Sequence, residues 1–350
     1  MFRYKILLVF GTRPEAIKMF PVVHALQAEP GIEVKLCVTA QHRALLDQVL
    51  DLADIVPDFD LDVMAPDQSL DKLTARLILA LGEVLDAERP EEVNRRLISC
   101  SADLHFAPTQ AAADALQAEG QDGRIIITGN TVVDALLATR AKLRERTALG
   151  DAIAPVISGF DGKQIIVVTS HRRENLGQGM VDAASAIREI AAREDVAVIY
   201  PVHPNPHVRA SIMPQLADLA NVALIEPLDY PNFVALLDAC TLILTDSGGV
   251  QEEAPAFGKP VLVMRETTER PEGLAAGTAR LVGTDPALIV KEVARLLDDP
   301  LAYAAMARAH SPFGDGRAAG RIAAILAEEA SARISPHHLG EQPVPKALRL

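Results

Sequence analysis

Short apolar runs alternate with amphipathic stretches almost from end to end of this chain. Runs rich in Val, Ile and Leu at 5–10, 33–39, 104–107, 125–128, 165–170, 196–200, 222–225, 242–245, 260–264 and 279–282 predict ten strands. Among them, Ile165-Ile-Val-Val168 and Leu242-Ile-Leu244 suit strands buried on both faces. Between the strands, helical spacing of apolar residues appears over Glu15–Ala28, Thr131–Arg146, Met180–Ala192 and Pro286–Leu297. A last long helix is expected over Arg317–Arg333. This is the strand–helix rhythm of α/β proteins with parallel, doubly wound sheets.

The rhythm fails once. A helical pattern over Leu70–Ala87 runs into Arg89-Pro90 and then straight into a second one, Glu91–Cys100, with no strand between. The first half therefore shows only four strands where the second packs six into a similar length. The stretch Pro155–Lys163 combines a proline, two glycines and weak periodicity, which marks a boundary between domains. The expected organisation is a first domain over 1–160, a second over 161–312, a helix within 313–334 and a disordered tail over 335–350.

Composition narrows the class. At 350 residues, 49% of them hydrophobic, the chain has the length and the apolar content for two packed cores. No apolar run approaches the roughly 20 residues a membrane span needs. Ile6-Leu-Leu-Val-Phe10 leads at once into Gly11, as a buried strand does and a secretion signal does not. Three cysteines, with no C-x-x-C pair, point to a reducing compartment and a cytoplasmic location. A net charge of −13 disfavours nucleic acid as a partner. An anionic ligand would need local help from arginines and helix N-termini.

Such help stands at the ends of predicted strands, where open parallel sheets bind their ligands. Thr245-Asp-Ser-Gly-Gly-Val-Gln-Glu-Glu253 follows the strand 242–245. Ser247 is placed as an N-cap, and Gly248-Gly249 leave the first-turn N–H groups open to a phosphate. Glu253 falls on the same helix face as Gly249 and can accept from sugar hydroxyls. The plainer alternative is a capped turn followed by solvated glutamates. Gly11-Thr-Arg-Pro-Glu15 ends the first strand, with Pro14 suited to a first helical turn and Arg13 aimed into the crevice between domains. It is not G-x-G-x-x-G, so a dinucleotide fingerprint is absent. Thr169-Ser-His-Arg-Arg-Glu174 ends another strand and offers His171 and Arg172 to a diphosphate. His203-Pro-Asn-Pro-His207 has the spacing of a metal pair, but its prolines forbid one helix carrying both imidazoles, so a metal site is rejected. A charged surface loop is a credible reading for Arg265 and less so for Arg270, which is placed to neutralise the ligand at Gly248.

Read together, these runs resemble the non-hydrolysing UDP-N-acetylglucosamine 2-epimerases. The matching signatures also include Val38-Thr-Ala-Gln-His-Arg43, Pro90-Glu-Glu-Val-Asn-Arg95, Ile127-Thr-Gly-Asn-Thr-Val-Val-Asp134, Pro201-Val-His-Pro-Asn205 and Thr267-Thr-Glu-Arg-Pro-Glu272. The likeness reaches to about residue 330. It implies two Rossmann-like domains facing across a cleft (the GT-B arrangement), a closing C-terminal helix and a homodimer. It implies interconversion of UDP-GlcNAc and UDP-ManNAc, feeding cell-surface polysaccharide, with no metal and no other cofactor. By resemblance Arg13, Lys18, Phe233, Ser247, Gly248, Gly249, Glu253 and Arg270 hold UDP. His171, Glu91 and Arg95 serve the chemistry, and Gln41, Gln68, Arg172 and His203 are candidates for a second nucleotide-sugar site.

The chain departs from the family in one place. Two of the three functional carboxylates of the family, one after a His-Gly and one before an Ala-Gly-Leu-Arg, have no counterpart. Roughly forty residues, two strand–helix units, are wanting between Pro90 and Glu91. Either they are deleted in the protein or they are missing from this sequence. The cost of excising central strands from a marginally stable fold favours the second. A true deletion would leave a nucleotide-sugar binder without turnover, and a GT-B glycosyltransferase would share the nucleotide turn. Where the family activator site has an Arg-Gln pair, this chain has Asp67-Gln68.

Overall fold

The computed structural model describes residues 4–39, 43–62, 103–118, 123–172, 175–307 and 311–334. They form two compact units, one from Met1–Ala107, Leu116–Thr131 and Arg317–Leu350, the other from Pro108–Ala115 and Val132–Gly316.

All ten expected strands are present, and an eleventh, the two-residue Phe59–Asp60, is too short to leave a pattern in the sequence. In the first unit β1 (Tyr4–Phe10), β2 (Ile32–Val38) and β3 (Phe59–Asp60) pair in parallel in that order. A separate parallel pair joins β4 (Leu104–Ala107) and β5 (Arg124–Ile127). The helix Arg13–Gln27 starts with Pro14 in its first turn, and Glu15 Oε2 accepts from the N–H groups of Gly11 and Thr12. Its Val22 and Leu26 pack with Ile6 of β1 and with Ala319, Ile322 and Ala323 of the C-terminal helix Ala318–Ile334. On the sheet's other face, among the described residues, Cys37 gathers Leu7, Phe59 and Leu61.

The second unit holds β6 (Gln164–Thr169), β7 (Val196–Pro201), β8 (Val222–Ile225), β9 (Leu242–Thr245), β10 (Val261–Val263) and β11 (Ala279–Leu281). They form one six-stranded parallel sheet in the order β11-β10-β9-β6-β7-β8. Counted from β6, that is the 3-2-1-4-5-6 order of dinucleotide-binding sheets. Strand alternation explains the two cores. Ile166 and Val168 face the helices Gln178–Ile190, Pro206–Leu216 and Pro286–Asp298, while Ile165 and Val167 face the opposite layer with Leu236, Leu237 and Val250. Strand order reverses between β6 and β9, and the site is built there.

Candidate functional site

Thr169 and Thr245 lie opposite each other at the carboxyl ends of β6 and β9, their hydroxyls 2.6 Å apart. One residue beyond, Asp246 is fully buried and faces the loop that leaves β6. Its carboxylate accepts from Ser170 Oγ at 2.8 Å, His171 N at 2.9 Å, Arg172 N at 2.9 Å and Asn175 Nδ2 at 3.2 Å. Asn175 also donates to the carbonyl of Met264, tying this loop to β10's end. Two loops separated by some seventy residues in sequence are thus held as one surface.

The helix Gly248–Glu253 begins on that surface. Ser247 is its N-cap residue, with extended backbone at φ −83° and ψ 129°, but its hydroxyl makes no cap bond. Gly248 leaves a gap beneath two guanidinium groups. A methyl group added there would lie 3.6 Å from Arg172 Nη2 and 3.8 Å from Arg270 Nη2. Among the described residues Arg172 Nε is buried without a hydrogen-bond partner, a donor of the kind an anionic ligand satisfies.

The two residues after Val250 explain how Arg270 is held. Gln251, fully buried, donates through Nε2 to the carbonyl of Ser247 and accepts at Oε1 from Thr268 Oγ1 at 2.7 Å. Thr268 Oγ1 in turn accepts from the backbone N–H of Arg270, and Arg270 Nε donates to Glu252. Glu252 and Glu253 are buried at 4% and 8% exposure, so neither is a solvated glutamate of a plain capped turn. Glu253 Oε1 accepts from Tyr230 OH at 3.4 Å. Burial, and after it the Glu253 carboxylate, push the Tyr230 hydroxyl well above its ordinary value. Phe233 sits half-buried on the helix Tyr230–Ala239, against the core that includes Ile153 and Val250. Arg265 is not a surface charge: it is 6% exposed and pairs with Glu269, whose carboxyl it holds down at about 2.

His171 and His203 stack with ring centroids 5.3 Å apart and 11° between planes. His203 stands outside the helix Pro206–Leu216, which starts at its own proline with Asn205 as N-cap, while His207 falls inside the first turn. Burial first, then the neighbouring His171, lower the His203 imidazole below its usual range, against an opposing pull from Asp246. Arg13 opens the first unit's helix Arg13–Gln27, and Lys18 lies one turn on. Glu91, Arg95, Gln41 and Gln68 lie outside the described residues.

Sequence reading singled out the glycines and the arginines but missed what holds them. Asp246, Asn175, Gln251, Glu252 and Thr268 had no individual role there, since their partners are distant in sequence. The one available signal was that Asp246, Gln251 and Glu252 are polar residues flanking a buried strand end.

A 3-2-1-4-5-6 sheet with paired guanidinium groups at its switch point defines a nucleotide-binding unit of the Rossmann-like class. Comparison with known proteins names the family. Residues 24–91 and 86–327 match the UDP-N-acetylglucosamine 2-epimerase family. The UDP-N-acetylglucosamine 2-epimerase of Escherichia coli K12 is 46% identical over 368 residues, covering 92% of this chain and 98% of that protein. The crystal structure of UDP-GlcNAc 2-epimerase from Neisseria meningitidis bound to UDP-GlcNAc matches with a TM-score of 0.81 and 40% identity, covering 93% of this chain and 100% of that one. An S. aureus MnaA–UDP co-structure matches with a TM-score of 0.79 and 37% identity, covering 94% and 97%. The chain belongs to the UDP-N-acetylglucosamine 2-epimerase family, and its fold is the α/β, two-unit Rossmann-like fold of these neighbours.

Proposed function

We propose that the protein is an isomerase that interconverts UDP-N-acetylglucosamine and UDP-N-acetylmannosamine by eliminating UDP and adding it back. The observation that carries this reading is the pair of guanidinium groups, Arg172 and Arg270, above the bare backbone of Gly248 in a chain of this family. The sugar C2 proton has no adjacent carbonyl, so direct removal is very costly. Loss of that proton with departure of UDP from C1 gives the C1=C2 bond of 2-acetamidoglucal. Return of UDP to C1, with a proton delivered to the other face of C2, inverts that centre. The protein must stabilise the departing diphosphate and keep both fragments in place.

In this reading Ser247, Gly248 and Gly249 present hydroxyl and backbone donors, and Arg270 and Arg172 neutralise the diphosphate. Arg172, a second-site candidate from the sequence, is assigned here to the diphosphate because of its place over Gly248. Glu253 takes the ribose hydroxyls, Phe233 borders the nucleoside, and His171 assists the leaving group. Arg13 and Lys18 contribute from the first unit, Glu91 and Arg95 serve the proton chemistry, and Gln41, Gln68 and His203 belong to a second nucleotide-sugar site. The protein works as a cytoplasmic homodimer. Among the described residues no helix is long and apolar enough to cross a membrane.

The reading includes a missing segment next to residue 90. The alignment with the Escherichia coli relative runs over 368 positions but takes in 92% of 350 residues, about 322, leaving about 46 positions with no residue of this chain. The family match breaks into two parts that meet at 86–91. Where the protein truly lacks that segment, it is a nucleotide-sugar binder without turnover. Incubation with UDP-GlcNAc in D₂O, followed by NMR, separates the readings. UDP-ManNAc carrying deuterium at C2 is the expected product. Free ManNAc would mean hydrolysis, and an unchanged spectrum despite binding would mean a binder alone.

A further inference from the structure

Among the described residues of this site Asp246 carries the one side-chain charge that is wholly withdrawn from water, and the elimination chemistry gives it no task. Four donors converge on it: the hydroxyl of Ser170, the backbone N–H groups of His171 and Arg172, and the amide of Asn175, at 2.8 to 3.2 Å. His171 Nδ1 lies 3.7 Å away. All four donate to one oxygen, Oδ2, and His171 N also lies 3.2 Å from Oδ1. Such bonds are stronger to an ionised carboxylate than to a neutral oxygen. No Lys or Arg side chain makes an ion pair with it among the described residues.

We propose that Asp246 is the positioning residue for the diphosphate site. It fixes Ser170, His171, Arg172 and Asn175 so that Arg172 reaches over Gly248 and His171 stays against His203. The proposal rests on the reading that UDP binds at Gly248. Register explains why this position does the work. Thr245 pairs with Thr169, so the next residue of β9 stands beside the first residue of the loop leaving β6. A side chain one carbon long before its carboxylate is buried against three successive polar groups of that loop.

Electrostatics alone would argue against a carboxylate here. A buried negative charge beside an anion site weakens anion binding, so removing it should tighten UDP if charge were all that mattered. Positioning predicts the opposite sign. Asparagine at 246 keeps an oxygen for these donors but gives up the charge that strengthens all four bonds, and the loop loosens.

The test uses the full chain and NMR titration with UDP and with uridine. Wild type is expected to prefer UDP strongly. Asp246→Asn is expected to lose about ten-fold or more in UDP affinity while uridine stays within about two-fold. Arg172→Ala should show the same pattern. The double variant should be no more than about two-fold weaker than Arg172→Ala, because the two act through one guanidinium. Unchanged or tighter UDP binding by Asp246→Asn would overturn the proposal, as would equal losses for UDP and uridine. If thermal melting shows that Asp246→Asn does not fold, Ser170→Ala removes one bond and keeps the charge. It should weaken UDP and spare uridine, and no change in UDP would count against the proposal. Wild type that binds UDP no better than uridine overturns the underlying reading itself.

Discussion

Both units build their sheets from Val-, Ile- and Leu-rich strands, yet water meets them differently. In the second unit Ile166, Val167, Val168, Leu242, Ile243 and Leu244 are all fully buried, with helices on both faces and strands on both sides. In the first, β1 has the burial pattern of a strand covered on one side, and Val9 is 41% exposed. In β5, Ile127 is 46% exposed. Among the described residues β1 pairs only with β2, and β4 only with β5. Parallel strands are stable when both faces are covered. Leu7-Leu8-Val9 and Ile125-Ile-Ile127 are sequences suited to that burial.

The contrast can be tested by mutation. Ile166→Ala, in the sealed sheet, should cost about 2–5 kcal/mol in denaturant unfolding of the second unit. The corresponding site test is Arg270→Ala. Losing its charge-assisted hydrogen bonds should weaken UDP by about 1.5–3 kcal/mol, roughly ten- to hundred-fold in Kd by calorimetry, with little change in unfolding. Val9→Ala should cost under about 1 kcal/mol, since much of its side chain already meets water. A cost equal to that of Ile166→Ala would break the comparison.

The smallest effect is in pH. His203 has its folded value held below the ordinary one by burial and by His171. The unfolded chain therefore takes up a proton more readily, and stability present above about pH 6.5 is lost as pH falls. Melting temperature should drop between about pH 7.5 and 5.5, and His203→Gln should flatten part of that slope. An unaltered slope would place the titration elsewhere.

How much was legible depends on the range of the interaction. Buried strands such as Ile165-Ile-Val-Val168 declare themselves through composition, and all ten expected were found within a residue or two. Phe59–Asp60 is a strand only because β2 lies beside it. The prolines of the 203–207 run forbid one helix over both histidines; the helix starts at Pro206 and leaves His203 outside it. At the site, Gly248 and Arg270 were legible because backbone exposure and charge are local properties. Asp246 was not, since its partners belong to a loop brought beside it only by the pairing of β6 with β9. Gln251 and Glu252 escaped notice for the same reason, as each acts on the 265–270 loop.

We propose that the second unit supplies the main grip on the nucleotide, through three loops at its switch point. Amide hydrogen exchange of the full chain, with and without saturating UDP, tests it directly. Protection should rise in peptides covering 170–176, 246–253 and 265–272. Tight UDP binding that leaves all three unprotected would contradict the account.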